Sequence, residues 1–129
     1  MPPFYAPVTH MVGITGQGFD ESKERRTPFF FLEFKPLFEQ NPDGTTRVID
    51  GKFTRMLKLY VTEKTMPHLR RRLASLGWEG TSLRDIDPAT PGFHDFSGSE
   101  TLLECTHKGG FEEWNFPYDG PAAKPKESN

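Results

Sequence analysis

The chain holds one cysteine, Cys105, and two tryptophans in 129 residues, and no apolar run approaches the roughly 18 residues that span a membrane. A single thiol closes no internal disulfide, so burial is expected to hold the fold together. The opening Met1-Pro2-Pro3-Phe4-Tyr5-Ala6-Pro7 lacks the basic and apolar regions of a secretory signal, and a cytoplasmic location without membrane contact is expected. Catalytic signatures are also missing. Neither G-x-S-x-G nor H-E-x-x-H occurs, and Gly13-Ile14-Thr15-Gly16-Gln17-Gly18 has neither the lysine of a P-loop nor the spacing of a dinucleotide fingerprint. Asp85 with Asp87 and Glu112 with Glu113 read as surface acids, so neither enzyme activity nor a cofactor is expected. His10, His68, His94 and His107 are scattered. Cys105-Thr106-His107 offers two ligands on one strand face, short of the about four of a structural zinc site, and no metal is expected. Cys105 reads as a small buried hydrophobe.

Phenylalanine, by contrast, is abundant: twelve residues outnumber tryptophan and tyrosine together, which raises the question of which rings lie outside the core. The length suits one domain, and a chain of this size buries about two thirds of its unfolded surface. The net charge of -2 conceals an asymmetry, because residues 47–72 carry eight Lys or Arg against two acids while residues 79–120 carry nine acids against two bases. A phosphate backbone responds to the field of one face, so a weakly acidic chain still accommodates a polyanion on its basic half.

Residues 1–7 read as a proline-punctuated arm, residues 8–120 as the domain and residues 121–129 as a disordered tail. Within the domain, Val8 to Gly16 is a first strand that bends at glycine. After the charged loop Asp20 to Arg26, Pro28 opens a second strand. Period two places its Phe30, Leu32 and Phe34 in the core and its Phe29, Phe31, Glu33 and Lys35 outside. Turn signals at Asn41-Pro42-Asp43-Gly44 and Asp50-Gly51 lead into a third strand, Phe53 to Val61. There Phe53, Leu57, Leu59 and Val61 face inward, Met56, Lys58 and Tyr60 face outward, and Arg55 reaches water near the strand's start. Thr65 as N-cap, Pro67 in the first turn, Leu69, Leu73 and Leu76 at helical spacing, and a stop at Gly77 define one helix, whose Arg70, Arg71 and Arg72 read as a solvated face. A short turn is expected around Ser82 to Ile86. Thr101 to His107 and Phe111 to Phe116 form a closing hairpin through Gly109-Gly110, with Phe116 in the core.

Three strands, a helix and a two-strand hairpin is the element order of the OB-fold, so an all-β chain with one helix is expected. Its form would be a five-stranded Greek-key barrel with the helix between strands three and four. The alternative is an α+β sheet with one packed helix.

Gly51-Lys52-Phe53-Thr54-Arg55, the strand ending Leu59-Tyr60-Val61-Thr62, the helix ending Leu73-Ala74-Ser75-Leu76-Gly77, and Gly98-Ser99-Glu100 before Leu103-Glu104-Cys105 resemble the phage-type single-stranded DNA-binding proteins. These are small OB-fold accessories of replication and recombination. The resemblance spans roughly Val8 to Tyr118. It implies non-catalytic, largely sequence-independent binding of single-stranded DNA in a bacterial or phage-infected cell, with replication or recombination proteins as further partners. Many such proteins carry an acidic, aromatic-tipped tail; Lys124-Pro125-Lys126-Glu127-Ser128-Asn129 has neither feature, so partner recruitment by these residues is not expected.

Single strands are held by cations on phosphates and rings on bases. The candidate nucleic-acid contacts are therefore Phe29, Phe31, Lys35, Lys58 and Tyr60 on the outer face, Arg25, Arg26, Lys52 and Arg55 at the strand ends, and Trp114 on the last strand. The competing reading is a protein-interaction or adaptor module that uses the same exposed rings. Self-association through the first strand's edge or the arm is compatible with the sequence, though no motif calls for it.

Overall fold

The computed structural model describes residues 5–49, 53–80 and 82–117. Among them, six strands form one antiparallel sheet with a single α-helix. The strands are β1 (Thr9–Glu21), β2 (Pro28–Gln40), β3 (Thr46–Val48), β4 (Arg55–Tyr60), β5 (Glu100–Lys108) and β6 (Phe111–Asn115), and helix α1 spans Met66–Ala74. The fold is thus all-β with one helix. The ladders β1–β2, β2–β4, β1–β5 and β5–β6 are those the element order calls for, and the three-residue β3 adds an unexpected pairing to the end of β2. Among the described residues no ladder joins β4 to β6, so the sheet does not close into the expected barrel and stays open along that seam.

β1 and β2 each run 13 residues, well beyond the expected strands, and pair with each other from Thr9–Gln40 to Glu21–Pro28. Register shifts between Met11 and Val12 and between Ile14 and Gly16 bend β1, so that its first half also pairs β5. The inward sets form one core, with Val12 and Ile14, Phe30, Leu32 and Phe34, Leu57 and Leu59, and Leu103 and Cys105 from the strands, and Leu69 and Leu73 from the helix. Phe116 joins this core as expected. The Phe30 ring meets Phe19 at 5.0 Å and Phe96 at 6.2 Å, which draws the connection before β5 onto the sheet. That connection holds the expected turn, a 3-10 helix at Leu83–Ile86. Gln17 pins it by donating to the carbonyls of Ile86 and His94 and accepting from the Phe96 amide, a role nothing in the local sequence signalled.

Two local expectations are corrected. Phe53 lies before β4 and is 39% exposed rather than in the core, because the strand begins only at Arg55. Thr65 holds the N-cap position, but its hydroxyl donates to the Tyr60 carbonyl at 2.6 Å and accepts from the Thr62 amide at 2.8 Å, so it braces the strand-to-helix corner instead of capping the helix. No helix among the described residues is long and apolar enough to cross a membrane. The expected tail, residues 121–129, and Lys52 lie outside the described residues.

Candidate nucleic-acid interface

The β2–β4 register builds the outer face. Phe29 pairs with Tyr60, Phe31 with Lys58 and Glu33 with Met56, so the side chains that period two placed outward stand in adjacent rows. β1 lies along the other side of β2, with Gly18 opposite Phe31 and Gly13 opposite Lys35. Glycine at 18 is a steric requirement: a Cβ there would stand 2.7 Å from Cζ of Phe31, whose ring reaches across onto the β1 backbone. The β1 side of this face is consequently low, and Phe31 is half-buried.

Phe29 does not serve as an open stacking surface. It is 4% exposed, with Tyr60 at 5.8 Å and Phe31 at 6.4 Å in edge contacts and the Lys58 ammonium 4.9 Å from its ring centre. Its outward neighbours cover it, so it is the foundation of the face rather than a contact. Tyr60 stands over it at 41% exposure, and Lys58 is exposed beside it. A groove of about 370 Å³ opens between Tyr60 and the β1–β2 loop, lined by Ser22, Lys23, Glu24, Arg25 and Thr27. Arg25 thus belongs to the site, and Lys23, which the sequence marked only as part of a charged loop, joins it. Arg26 turns the chain with a φ of 54°, and its exposed guanidinium lies 3.9 Å from Glu21, a contact of little energetic weight.

Three expected contacts are elsewhere. Lys35 is exposed but lies about 13 Å along β2 from Phe31 at strand rise, and Glu33, held by the Thr15 hydroxyl at 2.9 Å, stands between them. Arg55 does not reach into water for DNA. Its Nε meets Oε1 of Glu112 at 2.7 Å across the β4–β6 seam, and its guanidinium carbon lies 4.9 Å from the centre of the Tyr5 ring. Trp114 is 8% exposed, packs on Phe34 and His10 at 5.0 Å each, and donates its Nε1 proton to Glu112 at 2.6 Å. Both residues turn inward because the missing β4–β6 ladder leaves space that side chains must fill.

Glu112 is the centre of this second cluster. Its Oε2 accepts the Tyr5 amide at 2.8 Å, while the Tyr5 hydroxyl donates to the Phe53 carbonyl at 2.6 Å, so the arm straps the seam from β6 to the start of β4. Burial pushes the Glu112 carboxyl up, but hydrogen bonds from Arg55, Trp114 and Tyr5 outweigh it and hold the pKa below the usual carboxylate range. Cys105, under the arm, is pushed up to about 12 by burial and by the Glu112 charge, against the opposing pull of Arg55. The carbonyl of Tyr5 lies 2.7 Å from Nε2 of His107. The fully buried His10 donates through Nε2 to the Ala6 carbonyl at 2.9 Å and leaves Nδ1 without a partner.

The outer face therefore gathers Phe31, Lys58, Tyr60 and Arg25 with Lys23 and Met56, over a sealed Phe29. Period two had already set Met56 outward beside Lys58 and Tyr60; its 48% exposure makes it part of the surface. No protein-family model matches the chain, and no curated protein is significantly similar to it.

Proposed function

We propose that the protein binds single-stranded DNA, without catalysis and largely without sequence preference, as an accessory of replication or recombination. The observation that carries this reading is the Tyr60 ring, two-fifths exposed on a wall of packed aromatics, with Lys58 on one side and the Lys23 and Arg25 groove on the other. A ring seated on other rings is held in one orientation, which lowers the entropy lost when a base stacks on it. Cations on both sides suit the phosphates of a strand passing along β4, and a track from Met56 to Tyr60, about 13 Å at strand rise, takes only a few nucleotides directly. The wide binding site of a duplex has no counterpart in so short a face.

The test is competition. A labelled oligothymidine bound by the protein should be displaced by unlabelled single strands of mixed sequence and far less by duplex of equal length. Equal displacement by duplex would contradict the reading. A second reading rests on Met56 and Phe111, which are 48% and 73% exposed: these apolar side chains suit contact with another protein. Association with a protein that ignores salt, without oligonucleotide binding, would favour it.

A further inference from the structure

We propose that Cys105, His107 and Glu112, together with the main-chain carbonyl of Tyr5, form a binding site for one divalent transition-metal ion of the zinc class. From sequence, Cys105 and His107 are only a pair. The β5–β6 hairpin completes the set by placing Glu112 directly opposite His107, with Cys105 two residues before it on the same face. The three ligand atoms lie within 4.8 Å of one another. The Tyr5 carbonyl, which accepts from Nε2 of His107 at 2.7 Å and from the Cys105 thiol at 3.8 Å, supplies a fourth donor once those protons leave.

Tetrahedral zinc holds sulfur at about 2.3 Å and nitrogen or oxygen at about 2.0 Å, which spaces its donors about 3.3 to 3.8 Å apart. The cluster reaches that spacing by side-chain movements on the order of 1 Å, in which the exposed His107 ring exchanges its hydrogen bond to the Tyr5 carbonyl for the ion. A thiolate with an imidazole selects zinc or its neighbours over magnesium and calcium, which favour oxygen alone. The outer shell is already in place. Arg55 and Trp114 both bind Oε1 of Glu112, at 2.7 and 2.6 Å, which orients the carboxylate and leaves Oε2 directed at the arm. The repulsion between the ion and the Arg55 guanidinium is offset by the two anionic ligands. Binding breaks the Cys105 S–H bond, forms a metal–sulfur bond and releases that proton to solvent, while the Nε2 proton that His107 gives to the Tyr5 carbonyl passes through solvent to Nδ1 and yields the Nε2 lone pair to the ion, with no change of oxidation state. The ion would fasten the arm, β5 and β6 at one point, where the open seam begins.

Cobalt(II) is the direct probe. Titrated into the reduced, metal-free full-length chain, it should bind with one equivalent and give a sulfur-to-cobalt charge-transfer band in the near ultraviolet, with visible bands of tetrahedral strength that zinc abolishes. His107→Ala, at an exposed position, should keep the circular dichroism spectrum and weaken cobalt binding at least tenfold. Cys105→Ser should remove the charge-transfer band. Absence of that band at equimolar cobalt and high micromolar protein would overturn the site, as would unchanged cobalt affinity in folded His107→Ala.

Discussion

Tyr60 and Phe29 are cross-strand partners in contact, yet their duties are opposite. Tyr60→Ala removes the exposed ring, so it should weaken oligonucleotide binding by about 1–3 kcal/mol, read from titrations, while leaving the urea midpoint nearly in place. Phe29→Ala removes the sealed ring beneath it and should lower unfolding free energy by about 3 kcal/mol, read by urea denaturation. If Phe29→Ala were stable and Tyr60→Ala unfolded, the assignment of contact and foundation would be reversed. Lys58 divides its cation between the Phe29 ring and solvent. Lys58→Glu should flatten the slope of log affinity against log salt by about one unit, as expected when one phosphate contact is lost.

At the scale of elements, the open seam between β4 and β6 is held by side chains instead of a ladder. Glu112 is its keystone, and its folded pKa is depressed, so the unfolded chain binds the proton more readily. Its contribution to stability is complete above the ordinary carboxylate pKa and is lost as pH falls through the lower folded value. Thermal unfolding from pH 7 down to 3 should therefore show a steeper acid loss in the natural chain than in Glu112→Gln, and parallel curves would contradict the role given to this carboxylate. The seam also marks the limit of what sequence patterning reveals. Alternation disclosed the inward rows of β2 and β4, and helical spacing disclosed α1, because those faces answer to one local period. The outer rows Phe29, Phe31, Met56, Lys58 and Tyr60 were legible for the same reason. Whether a ring on such a row is covered depends on the neighbouring strand, which is why Phe29 and Tyr60 looked alike in sequence. Arg55 joins Glu112 and Trp114 only across this unladdered seam, 57 and 59 positions away in the chain, and no local period records it.

For the whole molecule, the separation of charge along the chain becomes a separation in space only in part. Lys58, Lys23 and Arg25 border the Tyr60 groove, but Glu24 lines it too, and Glu33 stands between this cluster and Lys35. A face of mixed sign and a few stacked rings suits modest, salt-sensitive affinity for a flexible single strand. Fluorescence anisotropy of a labelled oligothymidine, titrated with the full chain at low and at moderate salt, tests this most directly. Saturable binding at micromolar protein that weakens as salt rises is expected, and an oligonucleotide that stays unbound in both buffers would contradict single-strand binding by this face.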